Sequence, residues 1–324
     1  MKCRFISIVG TTECDAHCSF CNRWHEPIVS MDVDLTCNLI DQLPGLKTKI
    51  IDITGGQPGL WEGTIPVLRR CKENLLRTTV TVSGPSAFNL LESVALIRYL
   101  RVSVHGTPDN HDRFQGAGFW DANREFLKAV VNHYRNHLPE LIFTVRNEHT
   151  KDDFEAVDQL ARQFGIRIIG NLEWGLVPQR RILNLIHGFR IRPYWVFSLA
   201  KIRYWLSGGN NSSDPTCAAN QMLTLYDNSI VQPCMEHRDL LPSISLDHSS
   251  RLEDIISSRK QQSWYTKTGR WDFCQDCIIS CPNSLGLVIN CWRRYASWLH
   301  MPTLLQGPRD RLLLTVEKIT TKRT

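Results

Sequence analysis

The chain carries the stretch Cys14-Asp15-Ala16-His17-Cys18-Ser19-Phe20-Cys21, which places three cysteines within eight residues. An apolar, alternating run, Phe5-Ile6-Ser7-Ile8-Val9, precedes it and predicts a β-strand. The three thiols therefore follow the C-terminal end of an early strand, where parallel α/β folds carry their chemistry. This three-cysteine loop can direct three thiolates at one metal centre, and it supplies no fourth cysteine.

Two kinds of metal site are compatible with the three-cysteine loop. A structural zinc ion has four closed ligands, so a zinc site here would need His17 or His25 as the fourth. A [4Fe–4S] cluster held by three cysteines leaves one iron open for another ligand. The loop alone leaves both alternatives open.

Strand and helix patterns alternate about six times over residues 1–178. Strands are predicted at residues 5–9, 49–54, 78–82, 100–106, 141–147 and 166–174, and helices at 31–43, 65–76, 87–99, 122–134 and 152–164. This rhythm predicts parallel strands joined in βαβ units. We favour an α/β fold with a partial, open (βα)6 TIM-like barrel, because the candidate ligand motifs all lie at strand C-termini. A flavodoxin-like sheet would have the same rhythm.

Several polar or glycine-rich motifs end the predicted strands. The second strand ends in Gly55-Gly56-Gln57-Pro58, where two glycines allow a close backbone approach. Ser83 ends the third strand, Ser103 and His105 end the fourth, and Arg146 ends the fifth. These residues are expected to meet the three-cysteine loop at one edge of the sheet.

Taken together, these motifs resemble the radical S-adenosylmethionine (SAM) superfamily. In that family a Cys-x3-Cys-x2-Cys loop holds a [4Fe–4S] cluster, which implies Cys14, Cys18 and Cys21 as metal ligands. An aromatic residue before the last cysteine commonly lies against the adenine of SAM, and Phe20 stands there. The family's Gly-Gly-Glu-Pro motif binds the methionine amino group. Here Gln57 replaces the glutamate, so it can accept a hydrogen bond but has no charge to attract an ammonium group.

The same resemblance assigns further residues around SAM. It implies that Gly55, Gly56, Gln57, Pro58, Ser83 and Ser103 contact the cofactor. Arg146 is expected to pair with the SAM carboxylate, which a planar guanidinium fits well. His105 occupies a position where many members carry aspartate, and it is a candidate for proton transfer or substrate contact.

A second set of cysteines follows the barrel segment: Cys217, Cys234, Cys274, Cys277, Cys281 and Cys291. A predicted hairpin with Asp227-Asn228 at its turn separates the first two. The spacing of Cys217, Cys234, Cys274 and Cys277 resembles the twitch domain, a shortened SPASM module that binds one auxiliary [4Fe–4S] cluster. Cys281 is an alternative ligand, and Cys281 and Cys291 are candidate catalytic thiols that return a hydrogen atom. Taken alone, this half would also suit a four-cysteine zinc ribbon.

These patterns divide the chain into four parts. Residues 1–178 are the predicted barrel, and 179–215 are a helical connection that ends in a Gly-, Asn- and Ser-rich linker. Residues 216–291 are a small α+β, twitch- or SPASM-like domain, and 292–324 form a basic tail.

Composition limits the cellular setting and the partners. The chain has 324 residues, 42% hydrophobic content and no signal-peptide pattern or membrane-spanning run, so we expect a cytoplasmic protein. Nine of its 12 cysteines fall in the two sets, which favours metal ligation over disulfides. The formal charge of +6 lies partly in the tail, and without an RNA-binding signature a nucleic-acid partner is not favoured.

The resemblance implies an enzyme that receives one electron from an external donor such as flavodoxin or ferredoxin. It would cleave SAM to a 5′-deoxyadenosyl radical, which abstracts a substrate hydrogen atom. Since the chain starts directly at its first strand, we first expect the substrate to be a small polar metabolite, such as a sugar or aminocyclitol. The enzyme would oxidise or epimerise it. The alternative is maturation of a ribosomally made peptide by oxidation or cross-linking. A more distant alternative is a non-enzymatic metal-binding protein.

Overall fold

The computed structural model describes residues 3–277 except 174–175, 198–201, 203, 206–207, 214, 216, 218, 233, 235–239 and 242. Cys281, Cys291 and the basic tail lie outside the described residues, so their predicted roles stay predictions.

Parallel strands form the centre of the molecule. The first seven strands are β1 (Phe5–Thr11), β2 (Ile50–Gly55), β3 (Arg77–Val82), β4 (Tyr99–Val104), β5 (Glu140–Val145), β6 (Arg167–Leu172) and β7 (Trp195–Val196). Each pairs in parallel with the next. Their C-terminal ends therefore lie along one edge, and the predicted α/β class with parallel βαβ units is confirmed.

Helices cover one face of this sheet. They are α1 (Val33–Gln42), α2 (Thr64–Glu73), α3 (Pro108–Gln115), α4 (Phe119–His133), α5 (Lys151–Phe164) and α6 (Arg180–Arg190). Alternate strand residues such as Val102 and Val104 are buried and join the hydrophobic core with helix residues such as Phe126 and Val130. Side chains alternate between the two faces of a strand. Arg101 and Ser103 of β4 therefore lie on the face opposite to Val102 and Val104.

The structure corrects several predicted elements. The helix expected at residues 87–99 is a 3-10 helix at Pro85–Leu96, and Tyr99 already belongs to β4. The connection over residues 179–215, expected to be helical before its linker, contains α6 and then the strand β7, which is too short to show an alternating pattern. Helix α3 was not predicted, because its eight residues are mostly polar.

The hairpin that separates Cys217 from Cys234 continues the same sheet. It consists of β8 (Met222–Tyr226) and β9 (Ile230–Gln232), with the predicted turn between them, and β10 (Ile244–Ser245) pairs with β9. Strand β8 pairs in parallel with β1, from Phe5 opposite Met222 to Ile8 opposite Leu225. The hairpin therefore lies beside the strand that leads into the three-cysteine loop. The four-part domain division stays a prediction.

Two short helices, Leu252–Ser257 and Arg259–Thr266, follow β10. None of the described helices is both long and apolar enough to span a membrane.

Candidate active site

The three-cysteine loop lies at the C-terminal end of β1 and docks on the end of α3. The backbone N–H of His17 donates to the carbonyl of Gln115 (2.8 Å), and that of Ser19 donates to the carbonyl of Phe114 (3.0 Å). The last carbonyls of a helix have no partner within the helix. The loop supplies those missing donors, so α3 fixes its position.

The three thiols interact electrostatically with one another and are partly buried. Burial raises the pKa of Cys14 to about 11 and that of Cys18 to about 12, and the neighbouring Cys21 raises both further. Three thiolates can share this loop only if a cation compensates their charge, and metal binding then releases the protons. Among the described residues, no three side chains converge as ligands of a single metal ion. The donor set, three thiols with no fourth, fits a cluster with one open iron.

Two glycines hold the end of β2 against the backbone that leads into the loop. Gly55 has a φ of 121°, which side chains disfavour. The N–H of Gly56 donates to the carbonyl of Thr11 (2.7 Å), and the N–H of Gln57 donates to that of Glu13 (2.8 Å). We expected these glycines to allow a ligand to approach the backbone closely. The structure shows that they also allow the backbone of residues 11–13 to pack against the end of β2.

The side chain of Gln57 contacts β3. It is buried, its Nε2 donates to the carbonyl of Ser83 (2.7 Å), and its Oε1 accepts from the N–H of Ser83 (3.3 Å). Both ends of the amide are used. A glutamate, the residue usual in the resembling motif, would lack the donor that the Ser83 carbonyl requires.

Asn123 and Gln115 connect the strand ends, and the sequence analysis missed both. Asn123 Oδ1 accepts from the N–H of Gly84 (2.6 Å), and its Nδ2 donates to the carbonyl of Ser103 (2.9 Å) and the hydroxyl of Ser83 (3.1 Å). That hydroxyl donates to Gln115 Oε1 (2.6 Å). Gln115 is the helix residue whose backbone carbonyl holds the three-cysteine loop, so these bonds link β3, β4 and α4 to the loop.

His105 lies beside Phe20 at the end of β4. Their ring centroids are 5.1 Å apart in an edge-to-face arrangement, so the predicted adenine contact and the predicted catalytic histidine are neighbours. His105 is buried, and its Nδ1 has no hydrogen-bond partner among the described residues. Burial lowers the pKa of His105 well below its usual value, and the nearby His111 lowers it further. The ring is neutral, which suits hydrogen bonding to a ligand.

His111 and His149 are two further buried, neutral imidazoles near His105. Nδ1 of His111 accepts from the backbone N–H of His105 (3.1 Å), and Nδ1 of His149 accepts from that of Arg146 (2.9 Å). Burial lowers the pKa of each to about 4. Both rings therefore support the backbone at the ends of β4 and β5 only while they are uncharged.

This predicts a loss of stability in mild acid. The unfolded pKa is near 6.5 and the folded value is lower, so below about pH 6.5 the unfolded chain binds the proton first and stability falls. Each histidine contributes about 1 kcal/mol of this loss between pH 7.5 and 5.5. In His149→Asn, which keeps an acceptor, the Tm difference between these pH values should shrink by about 2 °C. The exposed His133→Asn is the control, and an equal change in both variants would contradict the assignment.

Arg146 is already engaged by protein groups. Its Nε lies 3.0 Å from Glu173 and 3.3 Å from Glu148, and its Nη1 donates to Ser19 Oγ (2.8 Å). The guanidinium also packs on Phe114, 4.5 Å from the ring centroid. Arg146 thus ties the end of β5 to the three-cysteine loop. Its predicted pairing with the SAM carboxylate stays a prediction.

The four described cysteines of the second set interact electrostatically. Burial raises the pKa of Cys217, and the nearby thiols of Cys234, Cys274 and Cys277 raise it further. These are the four residues whose spacing suggested an auxiliary site, and their donor chemistry fits a four-thiolate metal centre. The ligand assignment itself stays a prediction.

The sequence was compared with protein families and with curated proteins. No protein-family model matches the chain. It is 26% identical over 165 residues to the PqqA peptide cyclase of Ruegeria pomeroyi, covering 48% of this chain and 43% of that protein. It is 24% identical over 130 residues to the probable GTP 3′,8-cyclase of Thermococcus kodakarensis, covering 38% and 42%. The matched region spans less than half of each relative.

Solved structures extend the comparison to nearly the whole chain. Streptococcus suis SuiB bound to precursor peptide SuiA superposes with a TM-score of 0.64 at 13% identity, covering 94% of this chain and 76% of SuiB. The structure of anSMEcpe with bound SAM and Cp18Cys peptide gives 0.60 at 11%, covering 90% and 97%. Both are radical SAM enzymes. The chain has the radical SAM fold. The predicted α/β fold with a partial TIM-like barrel is thereby confirmed.

Proposed function

We propose that the chain is a radical SAM enzyme that modifies a peptide substrate. The observation that carries the proposal is the three-cysteine loop at the C-terminal end of β1, in a barrel of the radical SAM fold. The cluster, when bound, supplies one electron that cleaves SAM to methionine and a 5′-deoxyadenosyl radical. The protein residues then bind SAM and substrate, orient them and exclude water.

In this proposal the strand ends hold SAM. Cys14, Cys18 and Cys21 bind the cluster, while Gly55-Gly56-Gln57-Pro58 holds the methionine moiety through backbone groups. Phe20 lies against the adenine. The further proposed contacts come from Ser83, Ser103 and Arg146. Neutral His105 offers an unpaired ring nitrogen to SAM or substrate, which supports a binding or proton-transfer role.

The substrate proposal reverses our first expectation of a small polar metabolite. PqqA peptide cyclase, SuiB with its precursor peptide and anSMEcpe with a peptide all support the peptide alternative. The similarity to a GTP 3′,8-cyclase keeps a small-molecule substrate as the second candidate. A peptide product lighter by two hydrogens would indicate oxidation or cross-linking, whereas a gain of one mass unit in deuterium oxide would indicate epimerisation.

We also propose one auxiliary [4Fe–4S] cluster at Cys217, Cys234, Cys274 and Cys277, the residues of a twitch- or SPASM-like module. It would accept an electron from the substrate radical and make the overall reaction a two-electron oxidation. The external donor for SAM cleavage would be a flavodoxin or ferredoxin in the cytoplasm. Anaerobically purified protein should then hold about eight irons per chain.

Cys18→Ala is expected to abolish 5′-deoxyadenosine formation from SAM in dithionite-reduced protein. The loop then keeps two thiols, which cannot hold the cluster, and about four irons per chain should be lost. Cys37→Ala, which changes a half-buried cysteine of α1, is the matched control and should retain both iron and activity.

Liquid chromatography of the quenched reaction measures 5′-deoxyadenosine directly. Its formation by the wild-type protein would exclude the non-enzymatic metal-binding alternative. Absence of SAM cleavage in fully iron-loaded, reduced wild-type protein would contradict the proposed function.

A further inference from the structure

Asn210 lies inside the segment that the sequence predicts to be a linker, yet it is buried, and four of its hydrogen bonds lead to residues near or in the Cys274–Cys277 turn. Its side-chain Nδ2 donates to the carbonyls of Gly269 and Cys274, both at 2.9 Å. Its backbone N–H donates to the carbonyl of Cys277 (2.9 Å), and its carbonyl accepts from the N–H of Asp276 (2.8 Å). One residue therefore binds both ends of the Cys274–Cys277 turn.

Neighbouring residues extend this contact around the turn. The N–H and hydroxyl of Ser212 both donate to Gln275 Oε1, at 3.0 and 2.9 Å. The hydroxyl of Tyr204 donates to the carbonyl of Cys277. Asp276 has a φ of 59°, an unusual backbone conformation that such surrounding bonds help to maintain. The turn is thus shaped from outside by Tyr204, Asn210 and Ser212.

The side-chain amide of Asn210 also binds a residue that packs against Cys217. Gly269, whose carbonyl Asn210 binds, packs so closely that a Cβ there would lie 3.1 Å from Cys217 Cβ and 2.6 Å from Pro215 Cβ. Asn210 is therefore connected to the backbone beside three of the four clustered cysteines: Cys217, Cys274 and Cys277.

We propose that Asn210 is a positioning residue for the auxiliary metal site, where it sets the backbone of Cys274 and Cys277 and the approach of Cys217. This inference rests on the proposed auxiliary cluster. Only an amide fits, because two carbonyl oxygens face Nδ2 and a carboxylate there would repel both. Groups outside the ligands commonly determine whether a metal site assembles and how it is tuned.

Asn210→Asp tests the inference with almost no change in shape. The variant should lose about four of about eight irons per chain, while the three-cysteine site keeps its iron and still yields 5′-deoxyadenosine from SAM. The EPR spectrum of the reduced variant should lack the second cluster's signal. Asn211→Asp is the matched control, since the adjacent Asn211 is exposed and its Oδ1 accepts a hydrogen bond from the backbone N–H of Ser213, which a carboxylate can also accept.

The milder variant Asn210→Ser keeps one hydrogen-bond donor and serves as the test if Asn210→Asp does not fold. It should retain the EPR signal of the second cluster, with altered g-values or reduction potential. Full iron and an unchanged second signal in Asn210→Asp would overturn the inference alone. A wild-type chain with only about four irons would overturn the proposed auxiliary cluster and this inference with it. The two failures are therefore distinguishable.

Discussion

Replacing Gly56 with alanine is expected to empty the three-cysteine site although the thiols themselves are unchanged. A Cβ on Gly56 would lie 1.9 Å from the carbonyl oxygen of Glu13 and 2.8 Å from that of Thr12. Both are backbone atoms, so no side chain can rotate away. The chain entering the loop would have to move by roughly 1.5 Å to reach ordinary contact.

That movement breaks the connection between β2 and the loop. It would separate the N–H of Gly56 from the carbonyl of Thr11 and the N–H of Gln57 from that of Glu13, bonds of 2.7 and 2.8 Å. Crowding of this kind costs about 1–3 kcal/mol, and more where the surroundings cannot yield. A displacement of about 1 Å at a reacting centre is itself enough to lower rates about 100-fold.

The measurements are iron per chain and 5′-deoxyadenosine formed from SAM. Gly56→Ala should lose about four irons and the product should fall at least 100-fold. Gly188→Ala is the control, because Gly188 is exposed in α6 and a Cβ there meets nothing within 4 Å. It should gain up to about 1 kcal/mol of stability. Normal iron and product in Gly56→Ala would show that the loop tolerates the shift.

The sequence predicted the parallel part of the fold well because strand and helix periods are local signals. Alternation in β1 and the glycine-rich end of β2 place the candidate motifs along one edge without knowledge of any partner. By contrast, β7 has only two residues, Trp195 and Val196, and the pairing of β8 with β1 joins segments about 200 residues apart in the chain. Neither leaves a local pattern.

The polar connections of the site were missed for a similar reason. Asn123 bonds to residues on β3 and β4, and no local motif marks those partners. One signal was available, since Asn123 shares the apolar stripe of α4 with Phe119, Phe126 and Val130. A polar residue on an apolar face must find a buried partner. The same reasoning applies to Asn210, because a Gly-, Asn- and Ser-rich composition predicts a loop and cannot tell a packed loop from a mobile one.

Gln57→Glu, which would restore the residue usual in the resembling Gly-Gly-Glu-Pro motif, is expected to damage this protein. The buried amide of Gln57 donates to the carbonyl of Ser83 and accepts from its N–H. An ionised glutamate would place a second acceptor against that carbonyl and bury a charge without a counterion. Lost bonding and desolvation together should cost about 2–4 kcal/mol at pH 8.

The pH dependence of Gln57→Glu separates this account from direct binding of SAM by the side chain. Burial raises the pKa of a carboxyl group, and its protonated form can donate to the Ser83 carbonyl. The destabilisation relative to wild type should therefore shrink as pH falls from 8 to 5.5, measured as the difference in Tm at each pH. SAM affinity, measured calorimetrically, should not increase. If Gln57 instead faced the methionine ammonium group, the new carboxylate would tighten SAM binding at pH 8 without destabilising the fold, and that result would refute the strand-bridging role.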